Sequence, residues 1–222
     1  MCGRFTLTVD PAELKAHFQG IAFPDKYAPR YNVAPSQAIL AIPNDGRNAA
    51  DFFLWGLIPS WAKDAAMGSR MINARGETLA EKPSYRGVYK YKRCLIPADG
   101  FYEWKAQVGT RTKSPYFIHL KSGQPFAFAG LWDEWHAADG SPVRTCTIIT
   151  TSPNALMAPI HDRMPVILRP EDYAEWLDPA PRTPDSLQHL IAAFAPDRME
   201  AYAVSALVNS PSNDSVECVQ PA

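Results

Sequence analysis

The sequence has no apolar run of membrane-spanning length and no marked excess of charge of either sign. Lys and Arg number 22 against 23 Asp and Glu, which gives a formal net charge of −1. A membrane-spanning helix needs about 18 or more apolar residues in a row, so no membrane span is expected. Because there is no global attraction to polyanions, any binding to nucleic acid must come from a local basic patch.

Cysteine is scarce and forms no recognisable metal or redox motif. No C-x-x-C pair occurs among Cys2, Cys94, Cys146 and Cys218. This spacing argues against a zinc site or a disulfide framework and is typical of a reducing compartment, so neither a metal nor a cofactor is expected. Arg4 and Asp10 interrupt any apolar run at the start of the chain, so we expect no signal peptide and a cytoplasmic protein.

Repeats, low-complexity tracts and Gly/Ser-rich linkers are also missing. The 21 prolines are spread along the chain, as expected for turns between short strands. A length of 222 residues suits one domain with a sizeable core. We therefore expect residues 1–222 to form a single domain and the protein to be a monomer.

Apolar patterns predict short strands separated by turns, with few helices. The first helix has Asp10 as its N-cap and Pro11 in its first turn. The predicted helices span 10–20, 152–157, 171–177 and 185–194. The predicted strands span 38–42, 51–56, 94–98, 101–105, 116–120, 126–132, 145–150, 165–168 and 203–208, and the strands at 94–98 and 101–105 meet at a tight Asp99-Gly100 turn. These elements predict an α+β domain built on a mostly antiparallel sheet or a partly closed barrel.

Cys2 offers two different nucleophiles on one residue once Met1 is removed. An N-terminal cysteine carries an α-amine and a thiol on adjacent carbons, the pair that closes a thiazolidine ring with an aldehyde. Unperturbed pKa values of about 8 for the amine and about 8.5 for the thiol leave useful fractions of free amine and thiolate near neutral pH. Taken alone, however, a single cysteine is more often a small buried hydrophobe.

Glu103 is a candidate for proton transfer. Strand alternation places Phe101 and Glu103 on one face, with Tyr102 and Trp104 on the other. If the Glu103 face lines a pocket, desolvation raises the pKa of the carboxyl group and makes it a competent proton shuttle. A solvated strand carboxylate fits the same pattern about equally well.

Two other segments carry polar side chains suited to a site. His161 lies in a loop between two prolines, beside Asp162 and Arg163, a setting that suits either a tuned acid–base group or the commoner surface histidine. Asn73 and Arg75 share one face if their segment is extended. An amide and a guanidinium suit a ligand oxygen and a phosphate, and the alternative is a turn-forming Asn with a surface Arg.

Cations and aromatic residues are candidates for contacts with a nucleic-acid strand. Arg4, two residues from Cys2, is a candidate to hold a phosphate beside the reacting carbon. Segment 82–93 has five cations, no acid and three interleaved tyrosines. That pattern fits a groove that follows a phosphate backbone, or the commoner solvated face. Trp61 and Trp104 suit either base stacking or core packing.

Six short segments follow one another in an order typical of a known family. They are Met1–Phe5, Arg30–Pro35, Trp55–Trp61, Asn73–Arg75, Cys94–Trp104 and Ile160–Pro165. Each segment alone is weak, whereas the ordered set is highly specific, and with it the chain resembles the SOS response-associated peptidase (SRAP) family. The resemblance implies a SRAP fold with mostly antiparallel sheets, a barrel-like core and a few flanking short helices.

The resemblance also implies a function, that of an abasic-site sensor in single-stranded DNA. Cys2 would form a covalent thiazolidine crosslink after Met1 removal, with associated abasic-site lyase and self-processing peptidase activity. Asn73 would orient the cysteine or the opened sugar, and Glu103 and His161 would be the acid–base residues. The implied DNA contacts, with the stacking candidate Trp104 added, are Arg4, Pro35, Trp61, Arg75, Trp104 and Arg163. Residues 211–214 lack a basic residue common in the family, so we expect no DNA contact there.

Two other classes of function fit parts of the sequence. An N-terminal-nucleophile amidohydrolase also begins Met-Cys-Gly and would use the same free terminus to hydrolyse an amide. A non-catalytic module would bind single-stranded DNA without any need for Cys2.

Overall fold

The computed structural model describes residues 2–25, 27–107, 109–110 and 112–222, with thirteen strands and four α-helices in these ranges. The strands are β1 Phe5–Leu7, β2 Arg30–Val33, β3 Ala38–Pro43, β4 Asp51–Trp55, β5 Asn73–Arg75, β6 Arg93–Ala98, β7 Gly100–Ala106, β8 Lys113–Leu120, β9 Phe126–His136, β10 Pro142–Thr151, β11 Met164–Pro165, β12 Ile167–Leu168 and β13 Met199–Ala203. The helices are α1 Pro11–His17, α2 Pro83–Tyr91, α3 Tyr173–Trp176 and α4 Pro184–Leu187. Within the described ranges, no helix has the length and apolar character needed to cross a membrane.

Five strands close into a barrel. Strand β9 pairs with β10 and β6, β6 pairs with β3, β3 pairs with β4, and β4 returns to β10. The β4–β10 pairing is parallel and the other four are antiparallel. Strands β5, β11 and β12 add to this sheet along β10 and β9. The predicted α+β fold with a barrel-like, mostly antiparallel core is therefore confirmed.

A second sheet, with the strand order β13-β8-β7-β1-β2, packs against the barrel. Its Phe5 and Phe101 rings meet the Phe128 ring of β9 edge-on, with centroids 5.8 and 6.1 Å apart. Such aromatic pairs add to the stabilisation that comes from burying their surface. The contact between the two sheets therefore encloses the start of β1, where Cys2 lies in the same core cluster.

The Asp99-Gly100 turn does not close a hairpin, so the prediction that the two flanking strands meet there is wrong. Strand β6 belongs to the barrel and β7 to the second sheet, so the chain changes sheets at this corner. The Asp99 carboxylate accepts hydrogen bonds from the Thr8 hydroxyl at 2.6 Å and the Val9 N–H at 3.0 Å. A Cβ on Gly100 would lie 2.2 Å from the Phe117 ring, so only glycine fits. The corner thereby anchors the chain that follows Cys2.

The N-cap role of Asp10 is confirmed, since its side chain accepts hydrogen bonds from the N–H groups of Ala12 and Glu13.

Several predicted elements in the C-terminal half are shorter than predicted or displaced. The predicted helix at 152–157 is a series of turns, with the Met157 N–H donating to the Asn154 carbonyl oxygen. The helix predicted at 185–194 is reduced to α4 and a following 3₁₀ turn. The late strand lies earlier than predicted, at β13, and 206–209 is a 3₁₀ turn.

Helix α2 covers most of segment 82–93, for which the sequence patterns predict neither a helix nor a strand. Val88 and Tyr89 are buried on its inner face, while Arg86, Lys90 and Tyr91 are exposed. Four of the five cations lie on the outer helical surface or at the helix ends. They therefore face solvent, and a role for them in binding a nucleic-acid strand stays a prediction.

Arg93 departs from that pattern because it is fully buried. Its five N–H groups donate to backbone carbonyl oxygens at the ends of α2 and α3, namely those of Tyr89, Lys90, Trp176, Asp178 and Ala180. Carbonyl groups at helix C-termini lack partners within the helix and need external donors when buried. The guanidinium therefore ties two helix ends to the barrel.

We expect Arg93→Met to lower the free energy of unfolding by about 3 kcal/mol or more, because each buried carbonyl left without a donor costs about 1–3 kcal/mol. Urea unfolding followed by tryptophan fluorescence measures the change. Arg86→Met, on the exposed face of α2, is the matched control and should stay within about 0.5 kcal/mol of the wild type. Equal stabilities of the two variants would contradict the role of the buried guanidinium.

Candidate functional site

Cys2 lies in the core immediately before β1. Its side chain is fully buried, in a cluster that includes Trp55, Phe101 and Met157. Its Sγ atom lies 3.9 Å from the Arg4 carbonyl oxygen. Burial raises the pKa of the Cys2 thiol, and the nearby Glu103 carboxylate raises it further. The thiolate expected from unperturbed values is therefore disfavoured here, and the sulfur needs a base to take its proton.

Asn73 reaches Cys2 from the barrel side. Strand β5 pairs in parallel with β10, and the extended conformation predicted for Asn73 and Arg75 is confirmed. Asn73 Nδ2 donates to the Cys2 carbonyl oxygen at 2.8 Å. Its Oδ1 is buried and accepts no hydrogen bond from the described residues. The Tyr85 hydroxyl of α2 donates to the Asn73 carbonyl oxygen at 3.3 Å, which links this strand to the helix.

Glu103 lies on β7 and is only 2% exposed. Its Oε2 lies 3.9 Å from Nε2 of His161. Burial raises the pKa of Glu103, and the charge of His161 partly opposes that shift. Phe101 and Glu103 share the face that meets the Cys2 cluster, as strand alternation predicts. Glu103 is therefore buried and its carboxyl desolvated, and the solvated alternative is wrong.

His161 has a partner on each side of its ring. Its Nδ1 accepts a hydrogen bond from the Arg163 backbone N–H at 3.0 Å, so the neutral ring carries its proton on Nε2, toward Glu103. The Asp162 carboxylate lies 2.9 Å from Nδ1 and would accept a proton from a charged ring. The His161 N–H donates to the Met157 carbonyl oxygen at 2.9 Å, which fixes the loop. These contacts hold the ring in place, with Nε2 toward Glu103.

Arg163 joins the histidine loop to the segment that follows β5. Its two terminal nitrogens donate to the Glu77 carboxylate at 2.7 and 2.8 Å, and Nη2 also donates to the Thr150 carbonyl oxygen at 2.7 Å. This pairing lowers the pKa of Glu77. Glu77 was not among the sequence candidates, although it follows Asn73 and Arg75 in the same polar run.

Arg4 and Trp104 lie against the C-terminal segment. Arg4 Nη1 donates to Asn32 Oδ1 at 2.9 Å and to the Val208 carbonyl oxygen at 2.6 Å. The guanidinium carbon lies 6.0 Å from the centre of the Trp104 ring, whose Nε1 donates to Asn209 Oδ1 at 2.8 Å. Both side chains are therefore held in place close to the strand that follows Cys2.

The remaining predicted DNA contacts are more open. Arg75 ends β5 as an exposed side chain, Pro35 is half-buried, and Trp61 is 59% exposed. They lie outside the group of contacts that joins Cys2, Asn73, Glu103 and His161. Their roles in binding DNA stay predictions.

A buried thiol near the chain start, an amide on its carbonyl and a carboxylate–imidazole pair define a site for nucleophilic chemistry with proton transfer. The chain belongs to the SRAP family, described as SOS response associated peptidase, whose family model matches residues 1–211. This confirms the resemblance drawn from the sequence segments.

Relatives and solved structures support the same family. The chain is 55% identical to the abasic site processing protein YoqW of Bacillus subtilis (strain 168), with 99% of each chain covered. It is 31% identical to the abasic site processing protein HMCES of Mus musculus, over 90% of this chain and 67% of that protein. A crystal structure of a protein from Bacteroides thetaiotaomicron matches with a TM-score of 0.89 at 28% identity, covering 100% of both chains.

The two site carboxylates should affect stability in opposite directions. Because burial raises the pKa of Glu103 in the folded state, its contribution to stability is present below its ordinary pKa of 4.5 and lost as the pH rises. We therefore expect Glu103→Gln to raise the free energy of unfolding at pH 7, with a smaller gain at pH 5. Urea unfolding at the two pH values measures this difference.

Glu77→Gln is the matched control, because the pKa of Glu77 is lowered by Arg163. A lowered pKa contributes stability above the ordinary value and loses it as the pH falls. Glu77→Gln should therefore lower the free energy of unfolding at pH 7. A stability loss at pH 7 in Glu103→Gln would show that burial of the charged Glu103 carboxylate does not destabilise the fold.

Proposed function

We propose that the protein recognises abasic sites in single-stranded DNA and bonds to them covalently through Cys2. The observation that carries the proposal is that the Asn73 amide donates to the Cys2 carbonyl, while buried Glu103 lies near the thiol and beside half-buried His161. The names of the relatives YoqW and HMCES, both abasic site processing proteins, support DNA as the substrate.

The proposed chemistry begins when removal of Met1 frees the Cys2 α-amine. The ring-opened abasic sugar presents an aldehyde at C1′, and the amine adds to that carbon. Loss of water gives a Schiff base between the amine nitrogen and C1′. The Cys2 sulfur then adds to C1′ while its proton ends on the nitrogen, which closes the thiazolidine without any oxidant or reductant.

Glu103 and His161 would move the protons in these steps. Burial raises the pKa of the Glu103 carboxyl, which makes its carboxylate a better base, so it would take a proton from the sulfur or the amine and pass it to the leaving hydroxyl. The Nε2–H group of His161 would protonate the sugar oxygen as the ring opens. Asn73 would hold Cys2 through its carbonyl, so that orientation lowers the barrier.

Two further activities use the same groups. If the Schiff base loses a proton from C2′, β-elimination breaks the strand, which is lyase activity. Removal of Met1 would be an autopeptidase step at the same site, although a cellular aminopeptidase also removes methionine before a small residue such as cysteine.

Arginine and aromatic side chains would hold the DNA around the reacting sugar. Arg4 and Arg75 would bind phosphates on either side of the abasic site. A phosphate would compete with Glu77 for the guanidinium of Arg163. Pro35, Trp61 and Trp104 would line the path of the bent strand.

We expect the wild-type protein with Met1 removed to give a shifted band with single-stranded DNA that holds one abasic site, on a denaturing gel. Cys2→Ala should give no band because it lacks the thiol that closes the ring. Cys218→Ala is the matched control, since Cys218 is an equally buried thiol in a separate core cluster, and its band should be unchanged. Intact-mass measurement establishes that Met1 is absent.

Other results would exclude this mechanism. No band with the wild type, or an undiminished band with Cys2→Ala, rules out the covalent step. A complex that dissociates in denaturant and does not need Cys2 would indicate a non-catalytic binding module. Hydrolysis of glutamine in place of crosslinking would indicate an amidohydrolase.

We expect Glu103→Gln to slow crosslinking by about 100-fold or more, because general acid–base catalysis contributes about 10²–10⁴ in rate. The time course of band formation measures the rate, and circular dichroism checks the fold. Glu81→Gln, an exposed carboxylate at the end of the polar run, is the control and should crosslink at the wild-type rate. An unchanged rate in Glu103→Gln would remove Glu103 from the site.

A further inference from the structure

A groove of about 270 Å³ lies between α2 and the loop that follows β4. Trp61 lines it from the loop, and Arg86, Gly87 and Tyr91 line it from the helix. Trp61 is 59% exposed and Tyr91 is 50% exposed, which is unusual for such large rings. Exposed aromatic rings across a groove provide faces on which nucleic-acid bases stack.

The groove is also positively charged. Residues 82–92 include Lys82, Arg86, Lys90 and Lys92, and no acid. Asp133 is the only acidic residue among the described residues that line the groove. Its charge is offset, because Lys92 Nζ lies 2.7 Å from Oδ1 and the Ser60 N–H donates to Oδ2 at 2.8 Å. Arg86 therefore presents its charge in the groove without an opposing carboxylate, and Lys90 is exposed on the same helix.

We propose that this groove binds unpaired nucleotides of the DNA strand that flank the reacting sugar. The rings of Trp61 and Tyr91 stack with bases, and the cations of α2 hold phosphates. The charge favours a polyanion over an apolar protein segment. The inference rests on the proposed function, and it extends the DNA site from Trp61 to the outer face of α2.

The link between the groove and the reacting site runs through one side chain. Tyr85 lies on the inner side of α2, and its hydroxyl donates to the Asn73 carbonyl oxygen at 3.3 Å. Asn73 in turn contacts Cys2 at 2.8 Å. Helix α2 therefore contacts the strand whose side chain holds Cys2.

Gly87 offers a direct probe of this groove. It lies within α2 and lines the groove, and a Cβ built there meets no atom within 4 Å. A side chain at this position therefore enters the groove without displacing its neighbours. Replacing glycine inside a helix also favours the helical state, so the variants should fold at least as well as the wild type.

The experiment measures the affinity of Gly87→Lys, Gly87→Gln and Gly87→Glu for single-stranded DNA without an abasic site. Each change is made in the Cys2→Ala background, so that no covalent bond forms, and fluorescence anisotropy gives Kd at several salt concentrations. Affinity should fall in the order Lys, Gln, Glu, with Gly87→Glu about tenfold weaker than Gly87→Lys. The slope of log K against log salt should steepen by about 0.7 in Gly87→Lys.

Tyr91→Ala separates stacking from charge. Loss of one stacked base should weaken binding about fivefold or more, with the salt slope unchanged, because no cation is removed. An unchanged Kd in Tyr91→Ala would overturn the stacking role.

Ser122→Lys and Ser122→Glu are the controls for a global charge effect. Helix α2 leads into the first residue of β6, Arg93, so α2 lies at one end of the barrel strands. Ala98, at the other end of β6, pairs with Phe126 at the start of β9. Ser122 lies in the turn just before Phe126, and therefore at the end of the barrel strands opposite to α2. The two Ser122 variants should have equal Kd values. Equal Kd values across the Gly87 set, or equal changes in the two sets, would overturn the proposal.

Failure of this inference is distinct from failure of the proposed function. Crosslinking with intact Cys2 tests the function, whereas the Gly87 set tests binding of lesion-free DNA. If crosslinking occurs and the Gly87 set shows no difference, only the groove loses its role.

Discussion

The burial of Glu103 beside the Cys2 thiol is the constraint on which the site depends. An ionised carboxylate with 2% exposure has lost most of its hydration, and that loss is offset only in part by His161 at 3.9 Å. The same burial raises the pKa of the thiol, so both groups favour their protonated forms. In the proposed mechanism, the base that takes the thiol proton would therefore be the buried Glu103 carboxylate rather than solvent.

No single element of the fold carries two of the four central residues. Cys2 precedes β1, which pairs with β7 and so lies beside the strand of Glu103. Asn73 lies on β5, which pairs with β10, and the chain that leaves β10 forms the loop of His161. The site is therefore assembled where the second sheet meets the barrel. Its geometry depends on the sheet contact and on the Asp99 corner as much as on its own side chains.

The features that sequence could predict are those set by local chemistry. The N-cap of Asp10, the alternation that turns Glu103 toward the core and the barrel-like fold follow from short-range patterns or from ordered family segments. The corner at Asp99-Gly100 could not be predicted, because a tight turn between two strands looks the same whether they pair or enter different sheets. Helix α2 was not predicted, because its cations and tyrosines were interpreted only as a groove or a solvated face and no apolar stripe was sought in them. The burial of Arg93 depends on carbonyls as distant as Trp176, which local patterns do not reveal.

Arg163 shows why the type of a residue does not by itself reveal which groups its side chain binds. A guanidinium beside a catalytic loop suits a phosphate, yet here it binds Glu77 through two hydrogen bonds and the Thr150 carbonyl through another. These bonds join the His161 loop to the segment after β5, so the side chain holds two parts of the site together. A carboxylate and a phosphate present similar oxygens to the guanidinium fork. The Glu77 pair therefore fixes the loop in the structure described, and under the proposed function a DNA phosphate would exchange with the Glu77 carboxylate at this guanidinium.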